Sequence, residues 1–298
     1  MSIKTVKESD FDVVNLKRNP TSPRTLFGLI MSGIAGLFTL MAIIPLFIIL
    51  TYLLTKGISS LSASVFTELP PPPLVEGGGF GNAILGTVIM VGIGALISVP
   101  IGVMAAIYLS EFNEGKAADL IRFATNVLSG VPSIIVGVFA YSAVVLTTKT
   151  YSAWAGGFAL AILMLPIIVR TTDESLKLVP QDVRQASVGI GANPYQTILQ
   201  VVLPAALPAI ITGVTLSIAR AAGETAPLLF TALFTQYWPN FDNMLAEPTA
   251  SLAVLVYNFA IVPFKNQQDL AWGAAFILVL LVLITSVLSR LATAKRTY

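Results

Sequence analysis

The 298 residues are 55% hydrophobic and 11% charged, with a mean hydropathy of +0.84 and a formal net charge of +2. Soluble domains carry roughly 25% charged residues, so a soluble globular chain is excluded, and several apolar runs approach or exceed the ~20 residues that cross a bilayer core. Without cysteine or histidine there is no disulfide, thiol catalysis or thiolate metal site, and the commonest proton-relay side chain is missing.

The runs lack the alternation of a β-barrel, so the expected fold is an all-α polytopic membrane protein. Residues 1–25 form a polar N-terminal segment carrying Lys4, Lys7, Lys17, Arg18 and Arg24. The following run, Leu26 to about Leu54, exceeds the 7–15-residue core of a cleavable signal and reads as a retained first span. In the external loop 55–79, the prolines at 70–73 read as a stiff spacer and the glycines at 77–79 as a flexible joint. A glycine triplet can also cradle an anion through backbone amides. In sequence, however, no helix start or converging basic group stands beside this one.

A second span is expected over Asn82–Tyr108, kinked at Pro100, then a short internal loop at 111–122. The third, Phe123–Leu146, contains SGVPS at 129–133. Pro132 there reads either as a packing kink or as part of a translocation path, since disturbed backbone is tolerated only beside protein or a polar cavity. The fourth, Ala153–Val169, is short enough to require local bilayer thinning or snorkelling flanks. RTTDESLKLVP at 170–180 reads as a separate capped turn begun by Thr172 or Asp173, with Glu174 and Lys177 as a surface pair.

The apolar region Val201–Phe234 is too long for one simple span, and LPAALP suggests an interfacial approach with the membrane helix starting near Ala209. The sixth span is Leu270–Leu291, and 248–263, confined between prolines, reads as a buried or interfacial helix. Trp154, Trp238 and Trp272 fall near external ends, as an aromatic belt would place them.

Six spans put Lys4, Lys7, Lys17, Arg18, Arg24, Lys116, Arg122, Arg170, Lys177, Arg184, Arg290, Lys295 and Arg296 inside, and only Lys56, Lys149 and Lys265 outside. That bias places both termini in the cytoplasm. The expected organisation is a cytoplasmic segment 1–25, a six-helix domain 26–291 with a cytoplasmic loop at about 170–200, and a tail 292–298.

Within the loop, a helix over Gln181–Val188, a turn at Gly189–Gly191 and a second helix opened by Asn193–Pro194 would form a compact knob. It reads equally as a docking surface or as a structured linker. Further on, Arg220 and Glu224 stand four residues apart in an apolar run. One helix face would then pair them, with Gly213 and Ser217 on a similar face, Thr225 near the pair, and Pro227 kinking or ending the helix. Charge is expensive in a span. The pair therefore reads as a register-fixing ion pair, an anion path, or a cation or proton path.

The knob resembles the coupling loop of importer-type ABC permeases: Glu-Ala-Ala, three residues, Gly, then an Ile-x-Leu-Pro-like tail. The matching residues are Gln185, Ala186, Ser187, Gly191 and Val202–Leu203–Pro204, with Gln185 in place of the glutamate, Ser187 in place of the second alanine, and Arg184 adjacent. LPPPPLVEGGGFGNAILGT (69–87), PSIIVGVFAY (132–141), LPIIVRTTDESLKLVP (165–180) and IARAAGETAPLLFTALF (218–234) resemble the phosphate-specific permeases of that class, over nearly the whole chain after residue 25.

The resemblance implies the importer-type ABC permease fold and a subunit that moves inorganic phosphate across the lipid bilayer of a bacterial inner membrane. It implies a homologous permease subunit, two cytoplasmic ATP-binding subunits and an external phosphate-binding protein as partners. Arg220, Glu224, Thr225 and Ser217 would belong to the translocation path, and Arg184, Gln185, Ala186, Ser187 and Gly191 to the coupling loop. The chain lacks a GxxxxGK[ST] phosphate loop and a soluble segment large enough for a nucleotide-binding domain. ATP hydrolysis is therefore expected on a partner, with no cofactor and no nucleic acid. A permease for sulfate or molybdate, an ion-coupled transporter and a non-transporting scaffold are the alternatives.

Overall fold

The computed structural model describes residues 22–112, 115–240, 243 and 246–294. Lys4, Lys7, Lys17, Arg18, Lys295 and Arg296, counted above among the internal charges, lie outside the described residues. The chain divides into two compact units at Tyr52/Leu53. In the first unit, the opening part of helix α1 (Pro23–Ser59) exposes large apolar side chains such as Phe38 and Phe47. This is the surface a lipid-facing helix requires.

The second unit is all helix and loop among the described residues. After α2 (Ser64–Thr67) come α3 (Gly81–Glu111), α4 (Lys116–Gly130), α5 (Ser133–Thr148), α6 (Ala153–Lys177), α7 (Gln181–Gly189), α8 (Pro194–Ala222), α9 (Ala226–Thr231), α10 (Leu252–Ala260) and α11 (Lys265–Ala294). Five helices, α1, α3, α6, α8 and α11, are long and apolar enough to cross a bilayer; α4 and α5, bent by 107° at their junction, bring the number to six when counted as one span.

Four local expectations need correction. The third span is broken rather than kinked: α4 ends at Gly130, and Pro132 starts a new helix in another direction. The "internal loop" 111–122 is largely the first half of α4. The fourth span is one helix of 25 residues running through Lys177, about 37 Å long at 1.5 Å per residue, so no bilayer thinning is needed. Thr172 and Asp173 are interior to it and cap nothing, and Lys177 pairs with Asp173 at 2.6 Å rather than with Glu174. Pro204 and Pro208 lie inside α8, which starts at Pro194 and passes through a π-turn at Thr197–Val202. α10 is nine residues long with its apolar side buried, too short to cross.

The core is the crossing of α3 and α6. Lipid tails supply no hydrophobic drive between helices, so small residues that let backbones approach take its place. A Cβ built on Gly157 would sit 2.5 Å from the Ile93 side chain, one on Gly102 2.8 Å from Ile168, and one on Gly156 2.6 Å from the Met90 sulfur. Met90, Leu160, Met164 and Ile168 fill the seam and are almost completely buried. α8 joins in the same way, since a Cβ on Gly213 would overlap Thr171.

The loops at one end are tied by side chains. Asn82 donates to the carbonyls of Thr235 and Tyr237, Thr87 Oγ1 accepts from Leu252 N, and Gln267 donates to Pro71 O. The proline run is thereby pinned to the first turn of α11.

Gly157→Val is expected to lower the thermal midpoint of the detergent-solubilised protein by an overpacking cost of about 1–3 kcal/mol. Gly92→Ala, whose Cβ meets nothing within 4 Å, should leave it unchanged.

Candidate functional site

Two regions of the second unit bring the singled-out residues together. The first is the knob. α7 runs over Gln181–Gly189; Gly191 follows with φ +95°, a conformation that favours glycine. Asn193 then caps α8 reciprocally with Gln196, with Pro194 at the first helical position.

Arg184 is turned inward. Its Nη1 donates to both carboxylate oxygens of Glu111, at 2.6 Å each, and its Nη2 donates to the carbonyl of Leu176 at 2.8 Å. Both charged side chains are largely buried. The guanidinium thus clamps α7 onto the C-terminal ends of α3 and α6, satisfying a terminal carbonyl of α6 as it does so. Sequence reading missed Glu111. Its signal was one of several acids in the loop after the second predicted span, and 73 residues separate it from Arg184.

The two departures from the coupling-loop pattern differ in kind. Ser187 is buried, and its hydroxyl lies 3.0 Å from that of Thr197 in the π-turn of α8, an interaction alanine could not make. Gln185 and Ala186 are exposed. Gln185 lines a groove of about 480 Å³ with Arg184, Val188, Pro194 and Ile198. Val188 in the groove and Val183, Ile190 and Tyr195 nearby in sequence are exposed, so the knob presents an apolar surface. Tyr195 also leans on Phe112, with ring centroids 6.5 Å apart.

The second region surrounds Arg220, the third residue from the end of α8. Glu224 is not on the same helix: Gly223 closes α8, and Glu224 and Thr225 form the break before α9, where Pro227 sits in the first turn. The two charges still meet, Arg220 Nε lying 3.5 Å from Glu224 Oε1. That is the long limit of a hydrogen bond, and it leaves both terminal amino groups of Arg220 without a partner among the described residues. Glu224 is largely covered, whereas 63% of the Arg220 side chain is exposed.

Arg220 opens into a cavity of about 270 Å³ that it shares with Arg170, Ser129, Val131, Pro166 and Thr171. That is roughly nine water volumes of ~30 Å³, enough for a tetrahedral anion with part of its hydration shell. Arg170, counted above as a loop charge, belongs here because α6 continues past Val169. Asn126 Oδ1 accepts from its Nη2 at 3.3 Å. The α4–α5 break supplies Ser129 and Val131 to the wall. Ser217 is elsewhere: it is fully buried, bonded to Val214 O at 2.7 Å, and does not line the cavity. Thr225 is half-buried at the start of α9, its carbonyl accepting from Leu228 N and Leu229 N. Chemically, the cavity offers two guanidinium cations, two hydroxyls whose protons go to the carbonyls of Thr125 and Ile167, and a neighbouring carboxylate. No group of three or more metal-ligating carboxylates occurs among the described residues.

Residues 98–296 match the family of binding-protein-dependent transport system inner membrane components. Over 263 residues the chain is 43% identical to the phosphate transport system permease protein PstA of Haemophilus influenzae, covering 88% of this chain and 92% of that one. Over 243 residues it is 42% identical to PstA of Yersinia pestis, covering 81% of each. The chain belongs to the PstA family of permeases. A solved bacterial alginate ABC transporter, in complex with an alginate-bound periplasmic protein, aligns with a TM-score of 0.61 at 12% identity over 91% of this chain and 96% of that one. The fold is therefore that of ABC importer permeases, and the chain is a multi-pass inner-membrane transport subunit rather than an enzyme.

Removing one partner of the clamp leaves the other charge buried and unpaired, which costs about 3–5 kcal/mol. Glu111→Gln should therefore lower the thermal midpoint strongly, and a Glu111→Gln/Arg184→Met double-mutant cycle should return a coupling of about 2–3 kcal/mol. Ser187→Ala should cost about 1 kcal/mol in the same melt.

Proposed function

We propose that this chain is the permease subunit of an ATP-driven importer of inorganic phosphate. Support for the substrate comes from the phosphate permeases it matches at 40–43% identity. Support for the path comes from one observation: Arg220 and Arg170 line a single cavity beside a broken span. Guanidinium groups suit a tetrahedral oxyanion because a planar fork donates several charge-assisted bonds. The sparse pairing of Arg220 leaves its donors available, and Glu224 offsets the charge when the cavity is empty. A transport path must also release what it takes up, and the carboxylate beside the arginine limits how tightly an anion is held. Thr225 stands at the same helix break, and Ser217, buried one turn before Arg220 on α8, contributes to the path through the packing of that helix.

In this reading both termini and the 181–200 knob are cytoplasmic, in accord with the charge bias. The partners are a homologous (PstC-like) permease subunit, a dimer of ATP-binding subunits seated on Gln185, Ala186 and the apolar rim, and an external phosphate-binding protein. Closure of the ATP-binding subunits would push α7. The Arg184 clamp would carry that push into α3 and α6, and α6 bears Arg170 and part of the cavity wall. Gly191 provides the turn that keeps α7 and the start of α8 together.

Phosphate uptake into liposomes holding the full transporter is the test. Arg220→Ala and Arg170→Ala should each lower flux at least tenfold, about 1.4 kcal/mol or more, while assembly and basal ATPase activity persist. Normal flux in Arg220→Ala would remove that residue from the path. Sulfate or molybdate uptake matching that of phosphate would assign the transporter to another oxyanion.

A further inference from the structure

The glycine triplet of the 70–80 loop has neighbours in space that its sequence does not show. Gly77 and Gly78 border a cavity of about 350 Å³ with largely polar walls, into which Lys56, Lys265 and Asp269 also face. The two lysines come from opposite ends of the chain, Lys56 from the last turn of α1 and Lys265 from the first residue of α11. Asn266 holds the loop in place by donating to Val75 O at 2.6 Å and Gly77 O at 3.3 Å. Neither lysine nor Asp269 forms an ion pair among the described residues. The N–H groups of Gly77 and Gly78, which stand at φ +82° and +80°, are also unbonded there. Ser62 and Ser64, their hydroxyls 2.6 Å apart, complete the wall.

We infer that this cavity is a second oxyanion site, separate from the Arg220 cavity, and that it takes a tetrahedral phosphate carrying at least one proton. Two ammonium groups, serine hydroxyls and free backbone amides are donors to such an anion. Asp269 decides which anion fits. An ionised carboxylate only accepts hydrogen bonds, so it welcomes a ligand with a P–OH and repels sulfate or a lipid phosphodiester, which at neutral pH have no proton to give. The excess of one positive charge over the cavity, two lysines against one aspartate, favours capture without strong retention. With the orientation proposed above, the site lies at the external mouth, where phosphate would arrive. The assignment of phosphate chemistry itself rests on Lys56, Lys265 and Asp269 and not on the Arg220 path.

The test is 31P NMR broadening of inorganic phosphate by the full transporter in nanodiscs, without the binding protein, prepared with and without phosphatidylglycerol. Arg220→Ala should retain the broadening, whereas Lys56→Gln/Lys265→Gln, changes at exposed positions, should weaken phosphate binding at least tenfold. Sulfate should compete poorly against the native protein and as well as phosphate against Asp269→Asn. Phosphate binding unchanged in the double-lysine variant would overturn the site. So would displacement of phosphate by phosphatidylglycerol, or equal competition by sulfate in the native protein. Loss of binding in Arg220→Ala alone would assign the signal to the other cavity.

Discussion

The close approach of α3 and α6 is the constraint from which the other arrangements follow. Glycines at 102, 156 and 157 remove the side chains that would hold these helices apart, and in hydrocarbon such packing must replace the hydrophobic drive available in water. Once α6 is seated, Thr171 meets Gly213 and fixes the height of α8. Arg170 and Arg220, 50 residues apart in sequence, then face one cavity. The same seating places Glu111 and the Leu176 carbonyl side by side, where one guanidinium reaches both.

Arg184 therefore links surface and interior. A flexible knob would absorb a push from a partner as local bending. A helix clamped by a largely buried ion pair, with one guanidinium nitrogen on both carboxylate oxygens and another on the Leu176 carbonyl, moves with the helix ends that hold it. Ser187 and Thr197 join α7 to the π-turn of α8, so the knob is fastened to three of the long helices. Exposed Gln185, which replaces the glutamate of the pattern, has no part in this fastening. The internal rigidity of the knob comes from other residues.

Hydropathy made five spans legible, with a sixth if the bent α4–α5 pair is one span, and helix-capping chemistry made the knob legible: Asn193–Pro194 and Gly191 do what their types dictate. Proline effects were harder to read. Pro132 breaks a span, whereas Pro204 and Pro208 sit within a continuous one. Pro132 and Pro204 are both exposed, so neither the residue type nor its burial separates the two outcomes. Arg170 was misplaced because Thr172 and Asp173 resemble a cap when met after an apolar run. In the fold, α6 simply continues into its polar end. The pairing of Arg184 with Glu111 joins distant segments, and only the packing of α3 against α6 brings the two together. Arg220 and Glu224 were correctly associated, but by proximity across a helix end and not along one face.

The π-turn at Thr197–Val202 sets a phase relation. Each residue added to or removed from a helix turns everything beyond it by about 100°. The widened turn lies between the knob and the arginine, so it fixes the azimuth of Arg220 relative to the surface around Tyr195. A relative with one residue fewer there would keep nearly the same composition and hydropathy yet turn its arginine about 100° from the cavity. In this fold the aim of the charge is written in helical register as well as in residue identity.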